Sequence, residues 1–201
     1  MTSPLKIAVI VGSTRDGRFA PVVTSWLTGH LAERRDMTFD VVDLVETPLP
    51  VVFPAFGEAP PPGTEELVAA VSPRLEAADA FVIVTPEYNH SYPASLKNAI
   101  DWHNHEWHGK PVGFVSYGGV SGGLRAVEHL RGVLAELNAM TIRETVSLAG
   151  VWSQFDAEGK AVDPACDNAV TALLDQLAWW ALGLREAREA RPFGKPLENA
   201  I

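Results

Sequence analysis

The chain has 201 residues, 47% of them hydrophobic and 20% charged, with a net charge of −9 at neutral pH. This length suffices for one domain with a sizeable core, and the negative excess argues against nucleic acid or an anionic membrane as partner, since both would repel it. Cys166 is the only cysteine, which excludes an intrachain disulfide and any paired-cysteine metal or redox site.

Met1-Thr2-Ser3-Pro4-Leu5-Lys6 leads into an apolar run too short to span a membrane and lacking a signal-peptide layout, so a cytoplasmic protein is expected. Residues 6–11 read as a strand buried on both faces, with Ile7, Ala8, Val9, Ile10 and Val11 unbroken. The strand breaks at Gly12-Ser13-Thr14-Arg15-Asp16-Gly17-Arg18. Beyond it, Val22, Val23, Trp26, Leu27, His30 and Leu31 recur at helical spacing. Residues 39–45 form a second strand through Val41, Val42 and Leu44. A connection follows with Pro48, Pro50, Pro54, Pro60, Pro61 and Pro62, long enough to read as a lid, a binding loop or an interface arm, or as a solvated insertion.

Thr64 is placed to cap a helix opening with Glu65 and Glu66, and Pro73 to kink or split it. Residues 80–84 are a third strand that stops in a polar, aromatic loop, Thr85-Pro86-Glu87-Tyr88-Asn89-His90-Ser91-Tyr92. Pro93 then suits a helix start, and Leu96, Ala99 and Ile100 give that helix one apolar face. Residues 111–115 begin a fourth strand, ending in Ser116-Tyr117-Gly118-Gly119-Val120-Ser121-Gly122-Gly123, before a helix with Val127, Leu130, Val133, Leu134 and Leu137 inside. Residues 140–148 are a fifth strand, and the final helix carries Val170, Leu173, Leu174, Leu177, Ala181 and Leu184. The charged stretch 185–201 is expected to be a loose tail or one lent to a partner subunit. Five strands alternating with helices across a single domain, 1–201, predict an α/β fold: one parallel sheet with helices on both faces. Right-handed crossovers bring three chemically rich loops to the edge where open α/β sheets bind ligands.

The first of these loops has the make-up of an anion site. Gly12 and Gly17 free the backbone, Ser13 and Thr14 offer hydroxyls, Arg15 and Arg18 offer charge, and a helix N-terminus follows. Arg18-Phe19 stand where a Walker A loop requires Lys and Ser or Thr, which argues against nucleoside-triphosphate hydrolysis and leaves a phosphate monoester. Gly119-Val120-Ser121-Gly122-Gly123 spells a nucleophile elbow, yet the last histidine, His129, follows Ser121 by only about two helical turns, so no hydrolase triad assembles in order. His103, His105 and His108 fit no helical zinc spacing, and no metal is expected there. Trp179-Trp180 reads as core plus interface.

Taken together, Gly12-Ser13-Thr14-Arg15-Asp16-Gly17-Arg18, Pro86-Glu87-Tyr88-Asn89 with Leu96-Lys97-Asn98-Ala99-Ile100-Asp101-Trp102, and Ser116-Tyr117-Gly118-Gly119 with Ser121-Gly122-Gly123 resemble the NADPH-dependent FMN reductase family. The resemblance implies a flavodoxin-like fold with strand order 2-1-3-4-5, one non-covalent FMN, NADPH or NADH as co-substrate, and a homodimer or homotetramer. It implies that Ser13 and Arg15, with amides near Gly17 and Phe19, bind the FMN phosphate. Pro86, Glu87, Tyr88 and Asn89 would line the isoalloxazine edge through backbone and the Asn89 amide, while Ser116, Gly118 and Gly119 close the other side. Many members carry Ser and Asn where this chain has Arg18 and Ala20, and Arg18 would replace those contacts by its charge. Hydride transfer between stacked rings obliges no protein acid or base, so no catalytic side chain is assigned. An open ring face would admit a flat small-molecule electron acceptor: a quinone, an azo dye or free flavin. The alternative is a flavodoxin-like electron carrier without NAD(P)H chemistry, and an interface burying Trp102 and Trp107 would favour the oligomeric reductase.

Overall fold

The computed structural model describes residues 3–194. Five parallel strands, β1 (Leu5–Val11), β2 (Met37–Asp43), β3 (Ala80–Pro86), β4 (Pro111–Gly118) and β5 (Met140–Ala149), form one sheet in the order β2-β1-β3-β4-β5. The helices between and after them are α1 (Ala20–Ala32), α2 (Thr64–Glu76), α3 (Ala94–Trp102), α4 (Leu124–Glu136) and α5 (Pro164–Ala190).

Alternation along each strand sorts the core into two layers. Ile7, Val9, Val11, Val82, Val84 and Val115 face α1 and α5, packing on Val23, Leu27, Leu173 and Leu177. Ala8, Ile10, Phe81, Ile83, Val112 and Phe114 face the other way, onto Leu75, Leu96, Ile100, Leu130 and Leu134 of α2, α3 and α4. The uninterrupted apolar runs of β1 and β3 follow directly, because both faces of these central strands are covered.

Several expectations change in detail. Thr64 is the first residue of α2 rather than its cap; that place belongs to Gly63, in the left-handed region at φ +83°. Pro73 lies inside α2 without dividing it. Trp107, expected near an interface, sits in a short 3-10 turn and is buried, its ring 4.6 Å from that of Phe81. Trp102 lies under the proline-rich connection: its Nε1 donates to the carbonyl of Pro50 at 2.7 Å and its ring stacks on Phe53 at 4.3 Å. With Asn98 donating to the carbonyl of Leu49, these contacts fasten that connection to α3. Residues 185–190, expected as loose tail, continue α5, and Arg185 donates to the carbonyl of Ser3 and pairs with Asp79. The remainder of the expected tail, from residue 195 on, lies outside the described residues.

Candidate cofactor site

All five strands point their C-terminal ends at one edge, where the loops after β1, β3, β4 and β5 surround a cleft of about 450 Å³. The volume falls in the range of small-molecule sites.

The loop after β1 is held at its root and open at its tip. The amide of Gly12 donates to the carbonyl of Val84, and Ser95 of α3 donates to the carbonyl of Gly12. At the tip, the amide of Arg18 donates to the carbonyl of Arg15, closing a turn that puts Gly17 at φ +66°, a conformation suited to glycine. The amides of Ser13, Thr14, Arg15, Asp16 and Gly17 have no acceptor among the described residues. Arg15 is exposed, with no ion pair among those residues. Arg18 does not stand free as the sequence suggested. Its guanidinium forks onto Asp43 at the end of β2, at 2.5 and 2.6 Å, and also donates to the carbonyl of Ser13 at 2.7 Å. The hydrogen bonds it donates to Asp43 raise its pKa, so Arg18 is a charged brace for the loop. Phe19 lies between the cleft and the core, 6.0 Å from the ring of Phe155.

The loop after β3 makes a two-residue reverse turn. Tyr88 and Ser91 exchange both backbone hydrogen bonds, at 2.8 and 3.0 Å, and the residues between them, Asn89 and His90, have φ of +49° and +68°. Asn and His are among the side chains that enter this region most readily. The turn aims the Tyr88 ring at the first loop, where its hydroxyl meets the Ser13 hydroxyl at 2.8 Å. Glu87 points oppositely and ties this loop to the one after β4. Its carboxylate accepts from Ser121 Oγ at 2.7 Å and from the amide and guanidinium of Arg125 at 3.1 and 2.7 Å. Burial alone would raise its pKa, but those bonds outweigh it and hold the group below the usual carboxylate value. Ser121, the serine of the Gly-x-Ser-x-Gly run, is thereby a fastening for the loop.

The glycines after β4 divide by role. A Cβ on Gly123 would stand 2.6 Å from that of Ser116, and one on Gly122 would stand 2.9 Å from the amide of Ala149, so both are demanded by packing. Gly119 faces open space and, with Gly118, presents bare backbone to the cleft. The amide of Gly150, beyond β5, donates to the carbonyl of Gly119 at 2.7 Å and secures that backbone.

Ten of the expected site residues therefore line one cleft: Ser13, Arg15, Gly17, Arg18, Phe19, Pro86, Glu87, Tyr88, Gly118 and Gly119. Two stand outside it. Asn89 is exposed at the outer corner of its turn, and Ser116 is buried beneath the β4 loop, donating to the carbonyl of Gly122 at 2.8 Å. The cleft also takes in Asp16, Tyr117, Val151 and Trp152, absent from the sequence-based set. Their position at or just beyond the ends of β1, β4 and β5 was the available signal, since the strand ends at this edge contribute. Of the three histidines, His103 is buried beside Glu106, which accepts from Ser72, while His105 is exposed and His108 lies against Phe193. Among the described residues no group of three or more His, Cys, Asp and Glu side chains is arranged to hold a metal ion.

Unpaired amides and an exposed arginine at one end, and bare glycine backbone beside a tyrosine at the other, match a ligand with an anionic tail and a flat head. On a sheet of order 2-1-3-4-5, that combination defines a flavodoxin-like flavin-binding protein. The chain belongs to the NADPH-dependent FMN reductase family, which it matches over residues 5–153. It is 33% identical over 183 residues to a 2-hydroxy-1,4-benzoquinone reductase of Burkholderia sp, covering 88% of this chain and 96% of that one. It is 35% identical over 181 residues to a quinone reductase of Escherichia coli, covering 87% and 94%. An NAD(P)H-dependent FMN reductase of Schizosaccharomyces pombe is 40% identical over 141 residues, 64% of this chain and 66% of that protein. The solved structure of FerB, an NAD(P)H:(acceptor) oxidoreductase from Paracoccus denitrificans, superposes with a TM-score of 0.72 at 27% identity, covering 89% of this chain and 98% of that one.

Proposed function

We propose that this chain is an FMN-dependent NAD(P)H oxidoreductase: hydride passes from NADPH or NADH to FMN in the cleft, and then to a flat acceptor of the quinone or flavin class. The observation that carries the reading is one cleft offering free amides and Arg15 at one end and glycine-walled backbone at the other, in a member of this family.

FMN, when bound, supplies the two-electron chemistry. The chain's own part is to bind and orient. Ser13, Arg15 and the amides through Gly17 hold the phosphate, because a dianion gains most from charge-assisted donors. Pro86, Glu87 and Tyr88 line the slot side by side with Gly118 and Gly119, and the Glu87–Ser121–Arg125 contacts hold the two loops together. Arg18 acts on the phosphate indirectly, by bracing the loop against β2. No side chain of the cleft is required to give or take a proton during hydride transfer.

The enzyme acts as a single flavodoxin-like domain, 1–201, that forms a homo-oligomer in the cytoplasm. Exposed Val51, Val52 and Phe56 on the proline-rich connection and exposed Trp179 on α5 support self-association over a monomeric electron carrier. The lone, partly buried Cys166 is in keeping with a reducing compartment. An absorbance spectrum of the purified protein, followed by anaerobic addition of NADPH, tests the reading. Flavin bands that bleach are expected, and a protein that stays colourless after FMN is supplied would sink it.

A further inference from the structure

Three hydroxyls converge beneath the tip of the first loop, and one of them is left over. Ser13 and Tyr88 bond each other at 2.8 Å. Tyr117, the residue of β4 before Gly118, is only 4% exposed, and its hydroxyl has no hydrogen-bond partner among the described residues. Ser13 lies close enough to lower the Tyr117 pKa against the effect of burial, and Tyr88, Arg18 and Asp43 are the other ionisable groups that act on it. Arg18 and Asp43 are committed to each other, which leaves the Ser13–Tyr88 pair with capacity to spare.

An unpaired buried hydroxyl destabilises the fold that contains it. A phenylalanine here would remove that penalty without disturbing the packing of the ring, so the hydroxyl calls for a role in a liganded state. Ser13 has one proton and two lone pairs. When Ser13 donates to Tyr88, its proton is committed there. When that proton is directed to an acceptor in the cleft, Tyr88 and Tyr117 can each donate to one of its two lone pairs. Burial also raises the pKa of Tyr117, keeping its hydroxyl protonated and able to donate.

We propose that Tyr117 is a positioning residue for the anionic end of the cofactor, its hydroxyl donating to Ser13 when Ser13 donates to a phosphate oxygen. This rests on the flavin reading of the cleft. The chain Tyr117 O–H to Ser13 O–H to phosphate polarises each bond in turn, strengthening the Ser13 contact. Nothing is transferred; hydrogen bonds are exchanged, and the free protein carries the unsatisfied hydroxyl until the ligand arrives.

The test compares FMN with riboflavin, which has the same ring and no phosphate, by fluorescence titration of flavin-free protein, alongside thermal melting of that protein. Tyr117→Phe is expected to weaken FMN about fivefold, leave riboflavin unchanged, and raise the melting temperature of the free protein by about 2–4 °C. In a Ser13→Ala background the same substitution is expected to cost no further FMN affinity, because the hydroxyl acts through Ser13. Equal weakening of both flavins, an unchanged FMN affinity, a lowered melting temperature, or the same fivefold loss without Ser13 would overturn the proposal. A wild-type protein that binds no FMN at all would instead overturn the flavin reading on which it rests.

Discussion

Residues 12–18 leave β1 with an exposed arginine and five amides that have no acceptor among the described residues, whereas the loops across the cleft are cross-braced. Glu87 binds Ser121 and Arg125 at once, and Gly119 is tied to Gly150. The two sides face the same space with opposite economies of hydrogen bonding. A charged phosphate rewards donors that have no other partner, while a flat ring rewards walls set at a fixed separation. The first loop accordingly keeps its order at the root, through Gly12 and the Arg18–Asp43 brace, and leaves its tip unsatisfied.

That contrast is sharpest at the glycines. Gly123→Ala, on the braced side, would drive a Cβ to 2.6 Å from Ser116 at φ +89°, and is expected to cost about 3 kcal/mol or more in urea unfolding. Glu87→Gln is expected to cost about 1–2 kcal/mol, since it removes the charge from three hydrogen bonds while preserving shape. The same latch predicts an acid limb. The folded-state pKa of Glu87 is depressed, so its contribution is complete above the ordinary Glu pKa of about 4.3 and is lost as pH falls through the folded value. Stability measured against pH would show a shallower acid loss in the Gln variant.

On the open side the effects shrink. Gly17→Ala meets nothing within 4 Å, so only the left-handed backbone conformation is penalised, by about 1 kcal/mol. Arg15→Ala is expected to leave stability within about 0.5 kcal/mol while weakening FMN about tenfold and sparing riboflavin. If Arg15→Ala unfolded the protein, or Gly123→Ala left its stability untouched, the division between an open and a braced side would be wrong.

Much of this was legible in the residues. Buried apolar runs mark β1 and β3, and strand–loop–helix order places the rich loops at one edge before any distance is known. The details that escaped depend on partners remote in sequence. Arg18 reads as a free charge until β2 brings Asp43 to it from 25 residues away. Glu87 reads as a wall of the slot until α4 presents Ser121 and Arg125. Trp107 reads as surface because its neighbours His105 and His108 are polar, yet the 3-10 turn carries its ring onto Phe81. Pro73 reads as a breaker, although helix α2 continues through it. Tyr117 was visible only as one letter of a glycine-rich loop; its unpaired hydroxyl is a property of the packed fold.

The edge of the sheet opposite the cleft is organised by α5. Arg185 reaches the carbonyl of Ser3, just ahead of β1, and Asp79, just ahead of β3, while Arg188 reaches the carbonyl of Gly109, close before β4. The start of the described chain and its last helix are thus knotted together at the strands' entry side, separated from the cleft by the length of a seven-residue strand, about 23 Å. A surface tether or reporter fusion leading away from Ser3 would leave the cleft facing bulk solution, open to electron donor and acceptor alike.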